Sequence, residues 1–420
     1  VPGTGWVPVK RGDRAPTGSA EDRQITDWVE EHDDDLVAFR RHLHANPELS
    51  GEEYGTTAML CERLVAAGWS PTVLDSGTGL ICDIGADGST PSIAIRGDID
   101  ALAMDEDNDV PYRSRVAGVA HACGHDVHST VVLGSGLALA DSLVAGGHSV
   151  RLIFEPAEEQ VPGGAMEVIA SGWLDGIDSV YGLHCDPKID VGHVGTRRGA
   201  ITWAADLVEI SLHGPGGHTA RPEQTVDMVR EASSLALELP RLVSERAPGE
   251  VLLSFGALQT GEACNVVPAH ARLGGSLRTP DPQVWAAAET IVASAVAEIL
   301  EDTGLDWQIE HRRGVPPVIN HDRQTDLVEQ AVRDSIGPDA LVETPQSRGG
   351  DSFAWYLEAT GGTYVRLGTH HPDLARRVDL HSGDFDVDES AIGIGVRVLA
   401  SVVLADLGSP HQGISRAASP

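Results

Sequence analysis

Three short apolar runs in this chain, Pro91 to Ile95, Val150 to Phe154 and Ser179 to Leu183, each stop at a group of acids or histidines. Runs of this length without helical spacing read as strands buried on both faces. They lead into Arg96-Gly97-Asp98-Ile99-Asp100, Glu155-Pro156-Ala157-Glu158-Glu159 and His184-Cys185. A fourth, Thr363 to Leu367, enters a loop with His370, His371 and His381. Pro71 to Leu74 and Leu80 to Ile84 read as further strands. Helical spacing holds from Ile25 to the stop at Asn46-Pro47, from Val131 to Val144 and from Asp388 onward. Strands alternating with helices predict an α/β body around a mostly parallel central sheet, with ligands bound beyond the carboxyl ends of the strands.

The densest chemistry lies in His121-Ala122-Cys123-Gly124-His125-Asp126-Val127-His128. Three imidazoles and a thiol suit a divalent cation of zinc-like softness. Alone, the stretch reads equally well as a His-rich loop with a buried free cysteine. The acids and histidines that close the neighbouring strands favour a metal site at the sheet edge.

Between Trp203 and Gly314 the pattern changes. Strands over 206–212, 251–260, 270–278 and 307–311, with helices over 225–246 and 282–301, give the order βαββαβ of a complete ferredoxin-like unit. The expected layout is an irregular arm over 1–20, a discontinuous body over 21–202 and 315–407, an inserted lid over 203–314, and a flexible tail over 408–420. A chain of 420 residues has room for two such cores.

Sixty-three acids against 30 bases leave a formal charge of -33, a field that repels nucleic acid backbones and anionic membranes. Neither is an expected partner. The five cysteines are scattered without a CxxC pair, which argues against a disulfide framework and fits a reducing, cytoplasmic setting. No uninterrupted apolar run reaches the roughly 18 residues of a membrane span. Val1 to Ala20 lacks a basic segment followed by an apolar core, so it shows no signal peptide pattern; the sequence does not begin with Met.

Eight segments in order carry a resemblance: Arg40-Arg41-His42-Leu43-His44 with Pro47-Glu48-Leu49, Asp98-Ile99-Asp100-Ala101-Leu102, the His121 to His128 cluster, Glu155 to Glu159, Gly182-Leu183-His184, Gly216-Gly217-His218, Asn265-Val266-Val267-Pro268 and Leu380-His381-Ser382. Together they resemble the amidohydrolase branch of the aminoacylase and carboxypeptidase metallopeptidases, which contains hippurate hydrolases, N-acyl-amino-acid amidohydrolases and auxin-conjugate hydrolases. The resemblance covers Ile25 to Leu407. It implies a zinc-peptidase-like catalytic domain whose inserted lid also makes a homodimer. It also implies two divalent metal ions per subunit, zinc or manganese with cobalt or nickel also used, held by Cys123, His125, Glu159, His184 and His381. Glu158 falls at the family's general base. His218 falls at a histidine that reaches the partner's active site. Asn265 and Arg278 share the lid and can hold a substrate carboxylate, Arg278 by a two-pronged contact.

Other residues have plainer readings. Asp98, Asp100 and Asp126 are expected to orient imidazoles rather than bind metal. His121 and His128 are surplus to the ligand set, Arg41 and His44 close the first helix favourably for its dipole, and His370 and His371 are alternatives to His381. Two departures from the family pattern concern the pocket: Arg348-Gly349-Gly350-Asp351-Ser352-Phe353 keeps one acid where two are frequent, and Glu155 stands where an uncharged residue is frequent.

Two cations about 3.5 to 4 Å apart can acidify a shared water, and adjacent carboxylates allow Glu159 to hold metal while Glu158 moves the proton. The expected activity is therefore cleavage of an N-acyl amino acid to a carboxylic acid and an amino acid. A carboxypeptidase or dipeptidase of the same fold is the alternative, and a non-catalytic metal-binding protein is the third reading.

Overall fold

The computed structural model describes residues 19–409. The expected arm over 1–20 falls outside them except for its last two residues, and the expected tail over 408–420 except for its first two.

Helix α1 (Ala20–Ala45) opens with a capping box between Ser19 and Asp22 and buries Ile25, Val29, Leu36, Phe39 and Leu43 at helical spacing. Helix α2 (Tyr54–Ala66) follows, buried along Leu60 and Leu64. Then come β1 (Thr72–Val73), β2 (Leu80–Gly85), β3 (Ile93–Asp98), α3 (His125–Gly146), β4 (Ser149–Glu155), α4 (Ala165–Ala170), β5 (Ser179–Asp190), β6 (Val194–Thr196) and β7 (Gly199–Ala200). The inserted unit holds β8 (Ala204–His213), β9 (Gly217–His218), α5 (Met228–Arg246), β10 (Leu252–Thr260), β11 (Val266–Val267), β12 (His270–Thr279), α6 (Pro282–Leu300) and β13 (Asp306–Val315). The chain returns through β14 (Ile319–Asn320), α7 (Asp322–Ser335), β15 (Leu341–Glu343), α8 (Phe353–Ala359), β16 (Gly361–His370) and α9 (Ser390–Leu407).

The main sheet has eight strands in the order β1-β2-β4-β3-β5-β16-β6-β15. Its centre, β4-β3-β5-β16, is parallel, and the pairs β1/β2, β2/β4 and β16/β6 are antiparallel. Alternation along β5 divides the core. Tyr181, Leu183 and Cys185 pack with α1, α3, α7 and α9, while Val180 joins Phe353, Tyr356 and Tyr364 on the other face. Pairing of β3 with β5 ends at Arg96 opposite Gly182, so His184 lies beyond the paired stretch, level with the last residue of β3, Asp98.

Several boundaries differ from the sequence reading. Helix α3 starts at His125 rather than Val131, because Gly124 with φ 86° turns the chain directly into it. Strand β5 continues through His184 to Asp190, as β16 stays paired alongside it to His370. Helices α2, α4, α7 and α8 were not expected. Three helices, α3, α6 and α9, are long and apolar enough to cross a membrane by length and composition, although no uninterrupted apolar run of that length occurs. The core takes up most of that surface in α3 and α9.

The inserted unit forms its own antiparallel sheet, β10-β12-β8-β13, with α5 and α6 packed on one face around Ile210, Leu212, Leu235, Leu273 and Val292. Removing the Leu273 side chain from that fully buried setting should cost about 2–5 kcal/mol. Leu273→Ala is expected to lower the midpoint of denaturant unfolding accordingly; an unchanged midpoint would show that this core adds little to stability.

Candidate metal centre

The turn before α3 places Cys123 and His125 beside β5 and the loop after β4. Gly124 is needed there: a Cβ at this position would lie 2.9 Å from Cys185 Sγ. Ligand atoms of Cys123, His125 and His184 lie within 4.8 Å of one another, and so do those of Cys123, Glu159 and His381, making Cys123 common to two donor sets. Cys123 Sγ is 3.5 Å from His184 Nε2, and Glu159 Oε1 is 3.8 Å from His125 Nε2 and 3.4 Å from His381 Nε2.

Each imidazole is turned for this purpose. His125 Nδ1 sits 3.0 Å from Asp100 Oδ1 and His184 Nδ1 2.7 Å from the Cys185 carbonyl, so both Nδ1 atoms donate and both Nε2 atoms keep a free lone pair. His125 Nε2 and Glu159 Oε1 are buried without a hydrogen-bond partner. Buried polar atoms are rarely left so, and a thiol, three imidazoles and a carboxylate are the donor set of a borderline-soft cation. The residues present therefore fit the implied metal ions. Without a cation, burial pushes the Cys123 thiol well above its ordinary range, against the pull of His125.

His381 joins from a loop on the opposite side. Its backbone has φ 60°, its N–H donates to the Ala122 carbonyl at 2.8 Å, and its side chain is half-exposed. A left-handed non-glycine residue is strained, and here the strain lies at the rim of the donor cluster.

Glu158 reaches the same group, its carboxylate within 4.8 Å of His125 and Glu159. Ser352 N donates to its Oε1 at 3.2 Å. Burial, then the neighbouring charges of Asp351 and Glu159, hold its carboxyl well above the usual range. The segment 348–353 thus touches the expected base.

All three aspartates meet imidazoles, as expected, each a different one. Asp100 is the one that orients His125, and its Oδ2 also accepts from Glu159 N at 2.9 Å and Ser50 Oγ at 2.6 Å. Asp98 bonds His128 Nδ1 at 2.6 Å, while His128 Nε2 accepts from Cys185 N at 2.8 Å, so both His128 nitrogens are occupied. Asp126 turns away from His125 and His184. Its Oδ2 is 2.6 Å from Arg40 Nε and 2.8 Å from His44 Nδ1, both at the end of α1. Burial pushes His121 down to about 4, leaving it neutral and without a hydrogen-bond partner.

Sequence reasoning missed Arg96. It is fully buried in β3, with Nε 2.6 Å from Glu155 Oε2, Nη1 2.6 Å from Asp98 Oδ2 and Nη2 2.9 Å from Ser352 Oγ. An arginine inside an apolar strand was the available signal. Glu155, the acid at a position where an uncharged residue is frequent, is paired with Arg96.

His218, Asn265 and Arg278 lie on the inserted unit, and none of them belongs to the donor sets. His218 and Asn265 share a small flap: β9 pairs with β11, and Thr219 N donates to the Asn265 carbonyl at 3.4 Å. Gly216 and Gly217, with φ 63° and 156°, shape its turn. Both side chains are exposed, and Arg278 Nη1 donates to the Arg348 carbonyl at 2.7 Å.

Asp100→Asn is expected to weaken metal affinity about 10- to 100-fold with the fold intact, read by metal titration and circular dichroism; unaltered affinity would remove Asp100 from this role. Asp126→Asn should instead act on stability. Burial raises the Asp126 pKa, but Arg40 and His44 hold it well below the carboxylate range, so its contribution is present above about pH 4 and lost in acid. For His44, burial and Arg40 oppose protonation, yet Asp126 and Glu106 outweigh them and raise its pKa, so its contribution is full below about pH 6.5 and is lost as pH rises through the raised value. The deficit of Asp126→Asn in denaturant unfolding should therefore be largest between about pH 4 and 6.5; a pH-independent deficit would contradict this coupling.

Residues 94–405 match the family described as Peptidase family M20/M25/M40. The chain is 40% identical over 387 residues to a putative glutamate–cysteine ligase of Rhodococcus jostii (strain RHA1), covering 92% of this chain but 48% of that protein, so it spans about half the length of this relative. It is 36% identical over 361 residues to the N-acetyl-L-cysteine deacetylase of Bacillus subtilis (strain 168), covering 85% and 84% of the two chains. Among solved structures it is similar to a dinuclear metal-binding peptidase of the M20 family from Bacillus subtilis, with a TM-score of 0.78 and 28% identity over 90% of this chain and 99% of the other. With the motifs in order, the sheet edge built as described and the match running through both parts of the body, the chain belongs to Peptidase family M20/M25/M40.

Proposed function

We propose that this chain is a metal-dependent amidohydrolase that cleaves N-acyl amino acids, hippurate-like or related conjugates, to a carboxylic acid and an amino acid. One observation carries the reading: two donor triads share Cys123, and a second carboxylate, Glu158, lies within reach of His125 and Glu159. Cys123, His125, Glu159, His184 and His381 would hold two divalent ions, zinc or manganese by the softness of the donors. Such a pair, when bound, supplies Lewis acidity that acidifies water and polarises a carbonyl.

The chain's own groups do the rest. Glu158 accepts the proton that the attacking water loses and returns it to the amide nitrogen as the C–N bond breaks, leaving a carboxylic acid and an amine. Ser352 N fixes one carboxylate oxygen, so the other faces the reacting atoms.

The lid would supply the remaining contacts. His218 Nδ1 accepts from Ala220 N at 3.1 Å, which leaves the hydrogen on Nε2, a donor for the oxyanion of the tetrahedral intermediate. Arg278 and Asn265 would take the α-carboxylate. Because His218 stands outside its own chain's cluster, the reading includes a homodimer through the lid in which each His218 serves the other subunit's site. The deacetylase relative supports an acyl amino acid as substrate.

Glu158→Gln should lower the rate on hippurate and N-acetyl amino acids at least about 100-fold while metal content stays the same. Retained activity in that variant would sink the role of Glu158, and cleavage of dipeptides alone by the wild type would replace the amidohydrolase by a dipeptidase of the same fold.

A further inference from the structure

Beside the metal centre, on β16, lies an arginine side chain that has no acidic partner among the described residues and whose nitrogens keep some contact with solvent. Arg366 is 8% exposed, yet among the described residues it makes no hydrogen bond and no ion pair; its guanidinium only lies 5.6 Å over the Tyr364 ring. Arginine is almost never buried unless paired, because a guanidinium taken from water must find acceptors. The acids nearest along the adjoining strand are engaged elsewhere. Asp190 pairs with Arg377, and Asp186 accepts from Lys188 N.

The register says what Arg366 faces. It is the direct partner of His184 across the parallel β16/β5 pair and of Gly195 across the antiparallel β16/β6 pair. Side chains opposite one another on adjacent strands share a face, with strands about 4.8 Å apart. Arg366 therefore flanks the imidazole whose Nε2 points at Cys123. On its other side Gly195 leaves no room for a side chain: a Cβ there would sit 2.7 Å from Ile189 Cδ1, 2.9 Å from Thr344 Cβ and 3.3 Å from Arg366 Cβ.

We propose that Arg366 is a specificity-determining residue that receives a substrate carboxylate beside the metal centre, so that the preferred substrates are N-acyl amino acids carrying a second carboxylate. This rests on the amidohydrolase reading above, in which the lid already takes the α-carboxylate through Arg278 and Asn265. A second cationic receptor, on the body and next to a metal-holding imidazole, then calls for a second anion. The planar fork of arginine matches a carboxylate bidentately, and the partly closed setting strengthens the contact. The second carboxylate has two sources, the amino acid side chain or a dicarboxylic acyl group.

Two matched pairs separate them, assayed on the metal-loaded full chain: N-acetylglutamate against N-acetylglutamine, and N-succinylalanine against N-butyrylalanine. In wild type the kcat/KM ratio of charged to neutral substrate should exceed about tenfold in one pair. Arg366→Met should cut that ratio about 10- to 100-fold, the range of a charge-assisted hydrogen bond, and Arg366→Lys should fall between. A purely structural role for Arg366 lowers both members of a pair together and leaves the ratio alone, which would overturn the proposal. So would a wild-type ratio near one in both pairs. Metal content and melting temperature of each variant report folding separately.

Should wild type cleave none of the four compounds, the amidohydrolase reading fails by itself, and Arg366 is tested by calorimetry instead. Glutarate should then bind the metal-loaded wild type at least about tenfold tighter than Arg366→Met, and equal affinity would overturn the assignment.

Discussion

The site depends on one buried carboxylate. Asp100 follows β3 and binds three things at once: the imidazole of His125 at the start of α3, the backbone of Glu159 after β4, and the hydroxyl of Ser50 before α2. The loops after two parallel neighbours, β3 and β4, are thereby locked to the start of α3, the helix that opens at His125 just after Cys123. A carboxylate that accepts three donors in a low-dielectric interior is stabilised as the anion, and Asp100 is held below its ordinary range despite its burial. The imidazole it holds then offers a single nitrogen, in one direction, to whatever occupies the cluster.

The same economy recurs one layer away. Arg96 fastens Glu155 and Asp98 to Ser352, so the segment 351–353 lies where its backbone can reach Glu158. Arg40 and His44 fasten Asp126 to the end of α1, and Arg40 also reaches Glu389 at the start of α9. Each network is a buried cation shared between acids from separate elements, a costly arrangement to desolvate and a costly one to break. Between them they tie the turn before α3, the loop after β4 and the loop carrying His381 into one frame.

What could be read before any coordinates were seen was the chemistry that is written contiguously. The His121 to His128 cluster, the strands ending in acids and the βαββαβ order of the lid depend on local pattern, and the structure keeps them. Helix α2 escaped because it opens with Gly55, Thr56 and Thr57, poor helix formers, whereas α7 carries a legible apolar stripe of Val328, Ala331 and Val332, passed over in a mostly polar stretch. Position along the chain also could not tell which of Asp98, Asp100 and Asp126 would face His125, since that follows from side-chain direction at a strand end and a helix start. The buried partnership of Arg96 with Glu155 was hidden for the same reason, their separation being 59 residues.

The two halves of the donor cluster differ in how they are enclosed. Cys123, His125 and His184 are all buried, whereas the set containing Glu159 and His381 opens to solvent through a half-exposed ring on a strained loop. A cation held by the first three would be enclosed by buried side chains, whereas one held with His381 would sit at the solvent-facing rim. The inner position would then be filled once, close to folding, and kept, while the outer one equilibrates with whichever ions the surroundings offer. Occupancy of the pair would become a gauge of ambient metal supply, set by a single histidine at the rim.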